Sequence, residues 1–233
     1  MSLTFIIPAL NESAVIGRCV ASIVQEVPSA SIIVVDNGSE DDTANIAKEA
    51  GATVVVEPRR GLNYARRAGL DLADSSWIAF IDAENEIPPG WYARLGYLVL
   101  VTPGVVLVSG PPVYRELSWL TRVSIGFYYR VGRQLHRVMP MCQGGNFVAW
   151  RDAFNAAGGF DLSVEFYGED TATARRMALQ GRVVFDLHMW CWSDARRLIA
   201  DGVVVAGARY ALNYLWMSLL DRPFTSSHVD HRA

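Results

Sequence analysis

Cysteine is scarce in these 233 residues: Cys19, Cys142 and Cys191 are the only three. An odd count with no C-x-x-C pair and no zinc-ligand spacing excludes a disulfide framework and fits a reduced, cytoplasmic setting. Charged residues are also few, 19%, against roughly 25% in an average soluble domain. A net charge of −3 excludes a general nucleic-acid binder. No signal peptide is expected, because the apolar stretch before Pro8 is short and lacks a basic start. The longest apolar run, Val203 to Leu220, contains Arg209 and Asn213 and falls short of the roughly 20 clean residues of a span, so no transmembrane helix is expected.

Apolar residues, by contrast, make up 51% of the chain, enough to bury a sizeable core and to exclude a disordered tail. Charge is unevenly placed. Residues 1–90 hold 6 basic and 13 acidic side chains, net −7, and residues 91–233 hold 15 and 11, net +4. Within 115–137 stand Arg115, Arg122, Arg130, Arg133 and Arg137 against the single acid Glu116. Arginine stems interleaved with aromatic rings suit a membrane headgroup surface, and equally a core helix or a homodimer contact.

Short β-branched runs at Leu3 to Ile7, Ser31 to Val35, Thr53 to Val56 and Trp77 to Ile81 predict buried strands. The stretches Ala14 to Gln25, Asp42 to Ala50 and Tyr64 to Leu72 predict helices between them. This β-α-β-α-β-α-β order implies an α/β fold, a single mostly parallel sheet flanked by helices, with ligands at the carboxyl ends of the strands. Further on, helices are expected from Pro88-Pro89 to about Leu100, over Leu117 to Val138, from about Arg151 and from near Gly168, with strands at Val105 to Ser109 and Phe147 to Trp150. A polar tail from Pro223 is expected to fray.

None of the strand ends carries G-x-G-x-x-G or G-x-x-x-x-G-K-[ST], so a glycine cradle for phosphate is absent. They carry Pro8-Ala-Leu-Asn11-Glu12, Asp36-Asn-Gly-Ser39, Glu57-Pro-Arg-Arg-Gly61 and Asp82-Ala-Glu84-Asn-Glu86 instead. Alternate carboxylates at 82, 84 and 86 in an extended segment project to one side and suit a divalent cation, Mg2+ or Mn2+, that neutralises a departing diphosphate. The plain alternative is an acidic surface turn. Asp36 is likewise either a base contact or a turn cap.

The series IIPALNES, VVDNGSEDDT, Gly61 to Arg67, FIDAENEIPPGW, CQGGNFVAWRDAF, GGFD and GED followed by TATARR, in order over residues 3–182, resembles the family 2 glycosyltransferases of GT-A fold, inverting and bacterial in type. The resemblance implies a single glycosyltransferase domain over 1–233, with a donor and metal half at 1–90, an acceptor half at 91–222 and a tail at 223–233. It implies Pro8, Asn11, Glu12, Asp36, Arg67 and Asp82 around a nucleoside-diphosphate sugar, and Asp82 and Glu84 as metal ligands. It further implies Gly144, Gly145, Asn146 and Glu169 on the acceptor side, the glycines allowing a sugar to approach closely, and Asp170 as general base.

Glu84 stands where the family has Asp, keeping the charge and adding one methylene. Arg59, Arg60, Arg66 and Arg67 are candidates to meet the diphosphate or else solvated or paired with acids, and Arg67 stands where the family often has Asn. Glu86 is an extra candidate ligand, and His188 a candidate metal or diphosphate contact. Trp192-Ser-Asp-Ala-Arg-Arg197 resembles a C-terminal motif of some members.

A base at Asp170 favours a hydroxyl acceptor, a saccharide or lipid-linked saccharide of the cell envelope, at the cytoplasmic side of the membrane. A polyprenyl phosphate acceptor, a nucleotidyltransferase and a non-catalytic nucleotide-sugar binder are the alternatives.

Overall fold

The computed structural model describes residues 1–136, 138–162, 168–220 and 224–225. Arg137, the side chain of Arg197 and most of the tail from Pro223 lie outside the described residues. Four parallel strands follow the expected runs: β1 (Leu3–Ala9), β2 (Ser31–Asp36), β3 (Thr53–Val56) and β4 (Trp77–Ile81). Helices α1 (Ile16–Glu26), α2 (Thr43–Glu49) and α3 (Leu62–Leu72) alternate with them, and α4 (Trp91–Val101) and β5 (Val105–Ser109) come next. Then come β6 (Pro112–Tyr114), α5 (Trp119–Leu135), β7 (Asn146–Trp150), α6 (Arg151–Ala156), α7 (Glu169–Ala178) and β8 (Arg182–Phe185). The described chain closes with β9 (Cys191–Ser193), α8 (Arg196–Asp201) and α9 (Val203–Leu220).

The main sheet has seven strands in the order β3-β2-β1-β4-β7-β5-β8, and β6 pairs with β9 in a small second sheet. Period-two alternation splits the core between two faces. Phe5 and Ile7 of β1 pack with Ile16, Ile23 and Trp91 under α1, α2 and α4. Ile6 packs on the other face with Leu70, Phe154 and Met177 under α3, α6 and α7. Each fully buried side chain of this size stabilises the fold by roughly 1.5–3 kcal/mol. At Gly69, a Cβ would collide with Ile6, so α3 lies directly on β1.

One strand breaks the parallel pattern and thereby builds the site. β7 runs antiparallel between β4 and β5, with Ile81 opposite Asn146. Antiparallel pairing sets the start of one strand beside the end of the other, so the glycines before β7 lie against Asp82, whose N–H donates to the Gly145 carbonyl at 3.2 Å.

The apolar run at the C-terminus departs from expectation. It forms one 18-residue helix, α9, only 17% buried, and by length and composition it is long and apolar enough to cross a membrane. Arg209 does not break it, because it pairs with Asp201 at 3.5 Å. Asn213 is buried, with its Oδ1 accepting from the Phe224 and Thr225 N–H groups.

Candidate active site

The centre of the site is one of the four arginines that the sequence offers as diphosphate contacts. Arg66 lies on α3 with its side chain 2% exposed. It donates to Glu169 at 2.8 Å, to Asp82 at 3.1 Å and to the Gly144 carbonyl at 2.9 Å. Its guanidinium also lies 5.7 Å from the Phe160 ring centroid. One buried cation thus joins the end of β4, the loop before β7 and the start of α7. Arg67, the expected diphosphate contact, instead pairs with Asp71 at 2.9 Å on the exposed side of α3. Helical spacing separates the two: Arg66 shares a face with Asn63, Gly69 and Leu70, all buried, whereas Arg67 sits four residues before Asp71.

Asp170 stands in the first turn of α7, where the helix end favours a carboxylate. The Gly144 N–H donates to its Oδ2 at 2.9 Å. Burial raises its pKa against the opposing pull of Arg66. Glu169, beside it, is buried, and desolvation lifts its pKa to about 7 although Arg66 lowers it. Its carboxylate pairs with Arg66, and the residue also lines the cavity beside Asp170.

Gly144 and Gly145 line the cavity and also make room for two carboxylates. A Cβ on Gly144 would fall on the Asp170 carboxylate, and one on Gly145 would fall on the Asp82 carboxylate. The space that a side chain would fill is occupied by the two acids. Asn146 is a second correction. It is fully buried, donates to the carbonyls of Gly110 (3.2 Å) and Met189 (2.6 Å), and accepts from the Trp91 indole at 3.3 Å. With both ends of its amide engaged, it pins β7 and does not face an acceptor.

On the donor side, the expected residues are tied together. Pro8 is buried inside β1, opposite Val35. Asn11 adopts φ 54°, the left-handed region that Asn tolerates. Its Oδ1 accepts from the Glu40 N–H at 2.8 Å, and its own N–H donates to Ser39 Oγ at 3.0 Å. Asp36 Oδ1 accepts from the Ser39 N–H at 3.0 Å, which is the turn-capping geometry. Asn37, not singled out in the sequence, spans the next loop by donating to the Glu57 and Arg59 carbonyls and accepting from the Gly61 N–H. Glu12 is buried against Arg196 at 2.9 Å, which brings α8 to the end of β1.

Asp82, Glu84 and Glu86 alternate with buried Ala83, Asn85 and Ile87, so the three acids project from one side of the turn. Glu86 is drawn away by Arg115 (3.2 Å) and Arg18 (3.8 Å), which removes it as a further ligand. Asp82 and Glu84 fit a hard divalent cation that keeps waters and takes its other ligands from a diphosphate. Asn85 Oδ1 in the same turn is buried without a hydrogen-bond partner. No group of three His, Cys, Asp or Glu forms a complete metal cage among the described residues. His188 is 75% exposed and lies beside Asp186, itself paired with Arg94. The three thiols are buried, and burial raises their pKa values, so none is a nucleophile.

A cavity of about 420 Å³ opens beside Asp82, Arg66 and Asp170 and runs on between α5 and α9. The model of the glycosyl transferase family 2 matches residues 4–158, about two thirds of the chain.

The chain belongs to glycosyl transferase family 2.

An uncharacterized glycosyltransferase of Mycobacterium tuberculosis (strain ATCC 25618 / H37Rv) is 35% identical over 149 residues, which cover 60% of this chain and 66% of that protein. Among solved structures, a mannosyltransferase from Pyrobaculum calidifontis in complex with GDP-Man and Mn2+ superposes with a TM-score of 0.74 at 22% identity. The match covers 94% of this family 2 chain and 64% of that one. Glucosyl-3-phosphoglycerate synthase from Mycobacterium tuberculosis, in complex with Mn2+, UDP and phosphoglyceric acid, gives 0.64 at 23% identity over 93% and 78% of the two chains. The fold is the GT-A fold of these glycosyltransferases.

Proposed function

We propose that this chain moves a sugar from a nucleoside-diphosphate sugar to a hydroxyl acceptor, a saccharide or lipid-linked saccharide, with inversion and with the help of Mg2+ or Mn2+. The observation that carries this reading is the carboxylate of Asp170, held by the Gly144 N–H beside the cavity and linked through Arg66 to Asp82. The acceptor oxygen forms a bond to the anomeric carbon from the face opposite the diphosphate. The bond from that carbon to the phosphate oxygen breaks, with its electron pair leaving on the nucleoside diphosphate. The acceptor proton passes to Asp170. Asp82 and Glu84 would hold the cation, which when bound would supply positive charge against the leaving diphosphate.

Arg66 and Glu169 act on this chemistry through position. Arg66 fixes the Asp82 carboxylate and the Gly144 carbonyl, and so orients the N–H that holds Asp170. The solved neighbours that bind GDP-Man or UDP with Mn2+ support a nucleotide-sugar donor and a metal. A location at a membrane face is supported by the exposed apolar residues of α5 and α9.

The test is calorimetric titration of a nucleotide-sugar panel with and without Mn2+, followed by assay for released nucleoside diphosphate. At least one donor is expected to bind tenfold or more tightly with Mn2+ and to release diphosphate. Release of pyrophosphate from a nucleoside triphosphate, or metal-dependent binding with no turnover for any donor, would replace this reading with a nucleotidyltransferase or a binder.

A further inference from the structure

The cavity changes character along its length. At one end stand Asp82, Arg66 and Asp170, and at the other it is walled by Ile125, Met141, Leu198 and Val203, with tyrosine rings between. Two of those tyrosines have spent their polar ends inside the protein. Tyr129 donates to Gln143 Oε1 at 3.1 Å, and Tyr214 donates to the Met139 carbonyl at 2.6 Å. They offer the cavity ring carbon and not hydroxyl. A saccharide needs convergent donors and acceptors along its whole length; this wall has few to give.

The two helices that form the wall also carry apolar residues outward. On α5, Trp119, Val123, Phe127, Val131 and Leu135 recur every four residues, each 40–66% exposed, as one stripe. Arg122, Arg130 and Arg133 are exposed beside it, and α5 has no acidic residue to oppose them. On α9, Val205 is 55% exposed and Leu219 72%. A charged and apolar surface of this composition suits an anionic membrane.

We propose that the far end of the cavity holds the apolar chain of a lipid acceptor, drawn from an anionic membrane on which α5 and α9 lie, with its hydroxyl at Asp170. This rests on Asp170 being the base for a hydroxyl acceptor. It adds that the acceptor is recognised by its chain as well as its head.

Alkyl glucosides below their micelle concentrations serve as probes. Binding to the full chain is measured by calorimetry for methyl, hexyl and octyl glucoside, with UDP or GDP plus Mn2+ titrated separately. Affinity should rise about threefold or more per methylene between hexyl and octyl. Gly207→Leu is the blocking variant, because Gly207 lines the cavity and a Cβ there meets open space. It should weaken octyl glucoside at least tenfold while leaving nucleotide affinity within twofold of wild type. Ala208→Phe, on the same wall, should do the same.

Phe127→Glu should instead cut sedimentation with phosphatidylglycerol vesicles and leave octyl glucoside binding intact. Equal affinity for methyl and octyl glucoside, or octyl binding indifferent to both cavity variants, would overturn the proposal. Loss of nucleotide binding in every form of the chain would point instead to failure of the donor reading.

Discussion

At the carboxyl ends of β1 to β4, polar side chains are held by one another: Asn11 by Ser39 and Glu40, Asn37 by three backbone groups, Glu12 by Arg196, Asp82 by Arg66. Across the cavity, α5 and α9 have long exposed apolar surfaces and few polar cross-links. On the proposed function, the difference follows from what each side would bind. A diphosphate and a cation demand fixed charges whose reorganisation has been completed in folding. An apolar chain asks only for a dry surface of suitable shape. The two sides meet at Asp170, which belongs to the acceptor-side helix α7 but is tied to the donor edge through Gly144 and Arg66.

The sharpest way to break this contrast is to remove its buried cation. Arg66→Met leaves Glu169 and Asp82 without their partner and should cost about 3–5 kcal/mol of stability, read by urea denaturation. Adding Glu169→Gln should restore part of that loss. An Arg66→Met chain as stable as wild type would mean that the donor edge does not depend on this ion. Next in size, Gly144→Ala places a methyl on the Asp170 carboxylate and should cost about 1–3 kcal/mol, with transfer impaired more than nucleotide binding. At the small end, Arg67→Ala removes an exposed i,i+4 pair worth less than about 0.5 kcal/mol and should leave donor affinity unchanged. A tenfold loss of donor affinity in that variant would return Arg67 to the site.

Much of the donor side was legible because it is local. The first four strands are short β-branched runs, and Thr53–Val56 and Trp77–Ile81 have the bounds that the sequence predicts. Their polar ends follow by position alone. The strand Phe147 to Trp150 was also legible, but its place between β4 and β5 was not, because pairing across sixty-five residues leaves no local pattern.

Asn146 shows the same limit, since nothing in Gly-Gly-Asn says that the amide points into the core. Arg66 was within reach. The spacing Asn63, Arg66, Leu70 marks the inward face of α3, and the i,i+4 relation of Arg67 to Asp71 marks the outward one. In α9, the arginine that suggested an interruption is neutralised by Asp201, eight residues earlier in sequence and 3.5 Å away in space.

Burial also sets opposite signs for activity and stability in acid. As the proposed base, Asp170 would act only when ionised, and its raised pKa would move the loss of activity above the ordinary aspartate range. For Glu169, whose pKa in the fold, about 7, lies above its unfolded value, the folded state takes up the proton first. Its contribution to stability is therefore full below the unfolded pKa and is lost as pH rises through about 7.

The most direct measurement compares Asp170→Asn with wild type for both turnover and donor affinity, across pH. The account predicts that transfer falls about 10²- to 10⁴-fold with nucleotide affinity held within twofold, and that the wild-type acid limb disappears in the variant. A variant that transfers sugar at the wild-type rate, or that loses nucleotide binding in step with its rate, would contradict the assignment of Asp170 as the base at this site.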